Sequence, residues 1–185
     1  MELDSAIQKR KSVRKFNLKK KPDWRTIIEC IDSARFAPMA GNNYTLKFIL
    51  IDDEEKIKEI TESCHQNFVS ESKYVVVACS DPSRTVNLFG EAGKVYSRQQ
   101  AGAAIENFLL KITESGLSTC WVGKFVEEQV KKVLGIPENV NIEAIFPIGY
   151  NAETLRTRVA KIDLNRILYF NSYGNVKMKK IHSTE

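Results

Sequence analysis

Apolar residues recur along this chain with a helical spacing in some stretches and as unbroken runs in others. The helical spacing predicts helices that begin at Asp4 or Ser5, at Pro22, and at Asp52 or Asp53, with two more over 97–115 and 126–134. The unbroken runs, rich in β-branched residues, predict buried strands over 46–51, 74–79, 118–122 and 142–148. Residues 80–95 hold two glycines and are predicted to be a loop. Helices and strands therefore alternate, as in an α/β organisation.

The composition is typical of one globular domain. Of the 185 residues, 43% are apolar and 28% are charged. We predict a single domain over 1–170, followed by a basic tail over 171–185. The chain opens with acidic residues and has no apolar run near the ~20 residues that span a bilayer. We therefore expect a cytoplasmic protein without membrane contact.

Cysteine usage argues against a metal or disulfide framework. The chain has four widely spaced cysteines without a C-x-x-C pair: Cys30, Cys64, Cys79 and Cys120. This spacing predicts buried thiols of a reducing compartment, with no metal site.

The most charged stretch follows the first predicted helix. Residues 9–16 hold five cationic side chains and the hydroxyl of Ser12. Taken alone, such a stretch is more typical of a solvated basic face than of a site for an anion such as phosphate. The run of small residues over 101–104 also has two interpretations. It could pack against another part of the chain or lie in a subunit interface.

Motifs for acid–base or nucleophilic catalysis are absent from the sequence. There are only two histidines, and there is no G-x-S-x-G, H-E-x-x-H, P-loop or G-x-G-x-x-G pattern. A globular chain without this machinery favours a bound cofactor that carries the reaction.

Four segments, in order along the chain, resemble the motifs of the FMN-dependent nitroreductases. They are Arg10-Lys11-Ser12-Val13-Arg14-Lys15-Phe16, Ala37-Pro38-Met39-Ala40-Gly41-Asn42, the run 116–125 with Leu134-Gly135-Ile136-Pro137 after it, and Ile148-Gly149-Tyr150 with Arg156 and Arg158. Each motif alone is weak, but four in the family's order and spacing are specific.

The resemblance implies an α+β fold with a central, mostly antiparallel sheet flanked by helices. It implies a homodimer with two FMN sites at the subunit interface. The implied reaction is ping-pong: NADH or NADPH gives a hydride to flavin N5, and a small-molecule acceptor such as a nitroaromatic or quinone then takes it.

The same resemblance assigns residues to parts of FMN. Arg10, Lys11 and Ser12 supply the cations and hydroxyl that a phosphate needs, and Arg156 and Arg158 would close over it. Arg14 would lie near the flavin pyrimidine edge, and the backbone of Val122 and Gly123 near N5. The remaining cofactor contacts are Pro38, Met39, Ala40, Asn42, Tyr44 and Trp121.

Two departures from the family pattern affect these assignments. Met39 removes a hydroxyl, and Tyr44 replaces an amide that contacts the flavin in the family. Contacts near Asn67 and Ser70 are weaker expectations.

Two other function classes remain open. One is a flavin-binding sensor, or a specialised reductase or dehydrogenase of this fold, without nitroreductase turnover. The other is a small basic protein that binds nucleic acid or another polyanion through 9–21 and 152–180. The four motifs favour the enzyme, with no nucleic-acid partner.

Overall fold

A computed structural model describes residues 2–153 and 162–178, which include an antiparallel sheet with helices on both faces. The helices are α1 (Leu3–Lys9), α2 (Trp24–Ala34), α3 (Glu54–Cys64), α4 (Ser83–Phe89), α5 (Ala92–Glu114) and α6 (Glu127–Leu134). The strands are β1 (Leu46–Ile51), β2 (Tyr74–Ser80), β3 (Ser118–Thr119) and β4 (Asn141–Gly149). Short 3-10 turns cover Ala40–Asn42, Asn67–Glu71 and Leu164–Arg166.

The sheet has the strand order β1-β2-β4-β3, and each neighbouring pair is antiparallel. The predicted antiparallel sheet flanked by helices is confirmed. Helices cover both faces of the two central strands, β2 and β4, so their side chains are buried almost without alternation.

Alternate residues of β2 enter two different cores, as the pleat of a strand requires. Val76 lies in the core under α2 and α5, where Phe108 is fully buried. Val77 lies in the core under α3 and α6, where Ile60 is fully buried. Burial of each such side chain stabilises the fold by about 1.5–3 kcal/mol.

The described residues belong to two compact units, 1–154 and 155–185. In the second unit, Asp163 accepts a hydrogen bond from the Asn165 N–H at 3.2 Å, and the Tyr169 and Tyr173 rings lie 5.0 Å apart. The boundary at residue 170 stays a prediction. Across 2–153 and 162–178, no helix has both the length and the apolarity to cross a bilayer.

The predicted loop over 80–95 is wrong, because this stretch contains α4 and the start of α5. Gly90 ends α4 with a positive φ of 59°. Gly93 is inside α5, where the absence of a side chain lets α4 approach closely. Glycines that suggest a loop in the sequence thus serve as a helix end and a packing contact.

Three predicted boundaries also need correction. α1 begins at Leu3 without a side-chain cap, so neither Asp4 nor Ser5 caps it. α2 begins after Asp23, whose side chain accepts from the Arg25 N–H, so Pro22 precedes the cap instead of opening the helix. The strand predicted over 118–122 is regular only over 118–119.

All four cysteine side chains are buried, as predicted. Burial raises the pKa of Cys64 and of Cys79 to about 11. Since the thiolate is the reactive form, these two side chains are protonated and inert at neutral pH.

We expect Gly93→Ala to destabilise the fold, because a methyl carbon there would lie 2.2 Å from the Thr85 carbonyl oxygen. Overpacking of this kind costs about 1–3 kcal/mol. Gly102→Ala is the matched control in α5, since nothing lies within 4 Å of its added carbon. Urea unfolding should give a lower midpoint for the first variant only. Equal midpoints would contradict the close packing of α4 on α5.

Candidate functional site

The basic stretch after α1 is hydrogen-bonded to the end of the sheet. The Val13 N–H donates to the Thr119 carbonyl at 2.9 Å, and Ser12 forms a parallel bridge with Thr119. The Asn17 N–H donates to the Tyr150 carbonyl at 2.8 Å. The stretch is therefore held in place by β3 and by the chain that follows β4.

Two apolar side chains anchor this stretch and set the direction of its polar ones. Val13 and Phe16 are each 3% exposed. Phe16 packs on Gly149, where an added Cβ would lie 2.8 Å from the phenyl ring. With Val13 and Phe16 turned inward, the side chains of Ser12 and Arg14 remain on the exposed side of the stretch.

A pocket of about 280 Å³ lies between this stretch, α5 and the chain after β3. Its lining includes four of the predicted cofactor contacts: Arg10, Lys11, Ser12 and Trp121. The Trp121 ring packs edge-on against Phe146 with the ring centres 5.7 Å apart. Lys9, which is not among the predicted cofactor contacts, also lines the pocket.

The charges of this pocket suit an anion. Lys9, Arg10 and Lys11 line it together with one carboxylate, Glu106. The Arg10 Nε lies 3.7 Å from Glu106 Oε1, and both side chains are more than a third exposed, so this pair contributes little to stability. The remaining excess of positive charge matches a phosphate dianion.

A buried hydroxyl without a partner completes the pocket. Thr119 is 5% exposed, and its Oγ1 has no hydrogen-bond partner among the described residues. An unpaired buried hydroxyl costs about 1–3 kcal/mol, which a ligand oxygen could offset. Cations beside the hydroxyls of Ser12 and Thr119 match the phosphate and ribityl oxygens of FMN. The residues of this pocket therefore fit the implied cofactor.

Arg14 lies beside Cys120, outside the lining of this pocket. Burial raises the pKa of the Cys120 thiol, while the charge of Arg14 and a hydrogen bond with Ser12 oppose that rise. Arg14 and Ser12 thus both lie next to the residue that precedes Trp121.

The second predicted motif lines a different hollow. Pro38, Met39 and Ala40 lie with side chains of α5 around a hollow of about 250 Å³, whose other lining residues are Tyr96, Gln99, Gln100 and Ala103. Within one chain, the structure does not bring the two motifs into the same hollow. The predicted flavin contacts that line a hollow therefore form two separate groups.

The loop of the second motif has an unusual backbone. Gly41 and Asn42 both have positive φ values, 56° and 57°. A Cβ at Gly41 would lie 2.6 Å from the Leu88 side chain in α4, and the left-handed backbone also favours glycine there. Asparagine tolerates this conformation better than most residues, and the Asn42 side chain is left exposed.

The backbone amides of Val122 and Gly123, which are predicted to lie near N5, differ in their hydrogen bonding. The Val122 N–H donates to the Ile145 carbonyl, and the Ile145 N–H donates back to Val122, both at 3.0 Å. The Val122 amide is therefore used within the sheet. Gly123 is exposed, and its N–H has no acceptor in the described part of the chain.

Several other predicted residues lie away from both hollows. Tyr44 is half-buried against the core under α2 and α5, and burial raises the pKa of its phenol. Ser70 lines a charged pocket with Lys21 and Asp52. The Asn67 carbonyl accepts from the Ser70 hydroxyl at 2.9 Å. Arg156 and Arg158 lie outside the described residues.

Sequence reasoning missed three residues at these hollows: Glu106, Thr119 and Gln100. Each is on a predicted helix or strand, where its polar side chain gives no signal that it faces a cavity. The one hint in the sequence is that Thr119 lies inside the motif run 116–125.

The sequence model that defines the nitroreductase family matches residues 7–150, which contain the lining residues of both hollows. The chain belongs to the nitroreductase family. It is an oxidoreductase.

A curated relative from Archaeoglobus fulgidus, named as a candidate NADH dehydrogenase/NAD(P)H nitroreductase, is 28% identical over 78% of this chain and 82% of its own. A nitroreductase family protein from Clostridium novyi NT superposes with a TM-score of 0.76 at 26% identity, covering 95% of this chain and 96% of its own. An iodotyrosine deiodinase bound to FMN and 3-iodo-L-tyrosine has the same fold, with a TM-score of 0.80 at 22% identity over 93% of this chain and all of its own.

We expect Glu106→Gln to tighten the binding of a phosphate monoester such as FMN by about threefold to tenfold, because it removes the carboxylate among the pocket's cations. Flavin fluorescence titration at low and high salt measures this, and the gain should shrink at high salt. Glu62→Gln, on α3 outside this pocket, is the charge-matched control. Weaker binding by Glu106→Gln would instead show that Glu106 holds Arg10 in its binding position.

Proposed function

We propose that this protein is an FMN-dependent oxidoreductase that passes a hydride from NADH or NADPH to a small-molecule acceptor such as a nitroaromatic or a quinone. The observation that carries the proposal is the pocket that combines Arg10, Lys11 and Ser12 with the exposed ring of Trp121. The nicotinamide donor is supported by the name of the Archaeoglobus relative.

The pocket offers groups suited to the phosphate and the ribityl chain of FMN. Arg10 and Lys11 would bind the phosphate, and the hydroxyls of Ser12 and Thr119 would bind phosphate or ribityl oxygens. When bound, FMN supplies the chemistry that accepts and releases a hydride. The exposed N–H of Gly123 is the backbone donor available next to Trp121 for the ring edge.

We infer that a second copy of the chain completes each site, because the two motifs lie in separate hollows. Tyr96, Ala103 and Leu110 recur every seven residues along α5, and so lie on one side of the helix. Leu3 and Phe36, at 65% and 71% exposure, lie near the same surface around Leu110. An apolar surface of this kind is typical of a subunit interface. A homodimer would bring the 38–42 loop of one subunit to the basic pocket of the other.

A second candidate function is a reductase specialised for another acceptor. The match to an iodotyrosine deiodinase favours it, since that protein has the same fold and binds FMN with 3-iodo-L-tyrosine. The flavin contacts would be the same in both cases, and the difference would be in the residues that cover the ring.

We expect the purified protein to bind FMN and turn yellow, and Arg10→Ala to weaken binding about 10- to 100-fold through loss of a charge-assisted contact. Lys15→Ala is the control from the same stretch, since Lys15 is exposed and is not among the pocket's lining residues. Flavin fluorescence titration gives the affinities. NAD(P)H oxidation with a quinone, a nitroaromatic or 3-iodo-L-tyrosine separates the two candidate functions.

Two results would contradict the proposed function. A colourless protein that does not bind added FMN, but binds DNA or RNA with a steep dependence on salt, would overturn the proposal in favour of polyanion binding. FMN binding without turnover on any acceptor would leave a flavin-binding protein that is not a reductase.

A further inference from the structure

One side chain of α5 forms hydrogen bonds to both ends of the loop that lines the second hollow. The Gln100 Oε1 accepts from the Ala40 N–H at 3.0 Å. The Gln100 Nε2 donates to the Asn43 carbonyl at 3.1 Å and to Thr45 Oγ1 at 2.6 Å. Gln100 thus uses its acceptor and both of its N–H donors on residues 40–45.

These bonds belong to a buried polar network at the start of β1. Thr45, Ser97 and Gln100 are 4%, 1% and 7% exposed. The Ser97 hydroxyl donates to Thr45 Oγ1 at 3.2 Å, and the Thr45 carbonyl accepts from the Asp81 N–H at 3.0 Å. A buried network whose members are all paired holds its parts in one arrangement.

The loop needs such support because its own backbone is unfavourable. Gly41 and Asn42 both have left-handed dihedral angles, and such residues persist only where the surroundings fix them. Between Ala40 and Asn43, the hydrogen bonds of the loop to itself are short-range turns, such as the bond from the Asn43 N–H to the Ala40 carbonyl at 3.0 Å. Gln100 connects the loop to a long, regular helix instead.

We propose that Gln100 is a positioning residue for the cofactor: it fixes the 38–43 loop on α5 and thereby sets where Ala40 and Asn42 meet the flavin. This inference rests on the proposed function, because the loop contacts FMN only if the protein binds it. Gln100 acts through the loop. Its amide is fully used by residues 40–45 and has no N–H donor left for the ring.

The test is Gln100→Met, which keeps the length of the side chain and removes its hydrogen bonds. We expect FMN to bind about tenfold more weakly and the visible circular dichroism of bound FMN to change. The Ala40 amide proton should exchange faster with solvent, while amides of β2 keep their protection. A merely structural role would lower the unfolding midpoint without changing the flavin spectrum.

Two controls separate positioning from general effects. Gln129→Met makes the same chemical change on α6, outside both hollows, and should leave FMN affinity within about twofold. Ile60→Val lowers stability from the core under α3 and α6, and should also leave FMN affinity unchanged.

Each outcome decides between distinct claims. Faster exchange at Ala40 with unchanged FMN affinity and spectrum would overturn the positioning role and leave the proposed function intact. Weaker FMN binding with unchanged exchange at Ala40 would overturn it too, because the effect would not pass through the loop. Failure of the unsubstituted protein to bind FMN would overturn the proposed function, and this inference with it.

Discussion

The candidate site depends on the backbone pairing of residues 12–17 with the end of the sheet. The bonds from Val13 to Thr119 and from Asn17 to Tyr150 fix both ends of the stretch. Its apolar residues then enter the core and leave the cations beside Trp121. A stretch that is a solvated basic face by composition becomes one wall of a pocket because its backbone is fixed.

Helix α5 connects the two groups of predicted flavin contacts. Its C-terminal half lines the basic pocket through Glu106, and its N-terminal half holds the 38–43 loop through Gln100. The close approach of α4 at Gly93 packs Leu88 against Gly41 in the same loop. One helix thus contacts both motifs, although the sheet positions the first of them.

The sequence was sufficient for the strands and for most helices, because buried runs and helical spacing are local signals. The loop predicted over 80–95 is wrong because Gly90 and Gly93 give the same signal in the sequence. Their different roles, ending α4 and permitting α4 to pack on α5, depend on the neighbouring helix. The roles of Gln100 and Thr119 could not be predicted. Gln100 binds partners more than 50 residues away along the chain, and the Thr119 hydroxyl has no hydrogen-bond partner among the described residues. The hydrogen bonding of the Val122 amide could not be predicted for the same reason: its partner, Ile145, is on β4.

In the proposed dimer, each FMN site combines the basic pocket of one subunit with the 38–43 loop of the other. The most direct test of this arrangement mixes a chain carrying Arg10→Ala and Lys11→Ala with a chain carrying Gly41→Ala, and isolates the mixed dimer through two tags. Neither variant should bind FMN tightly alone, because both of its sites carry one defect. The mixed dimer should regain about one FMN, since both defects then fall in the same site and the other site is intact. A mixed dimer without tightly bound FMN would show that the two motifs do not meet across subunits.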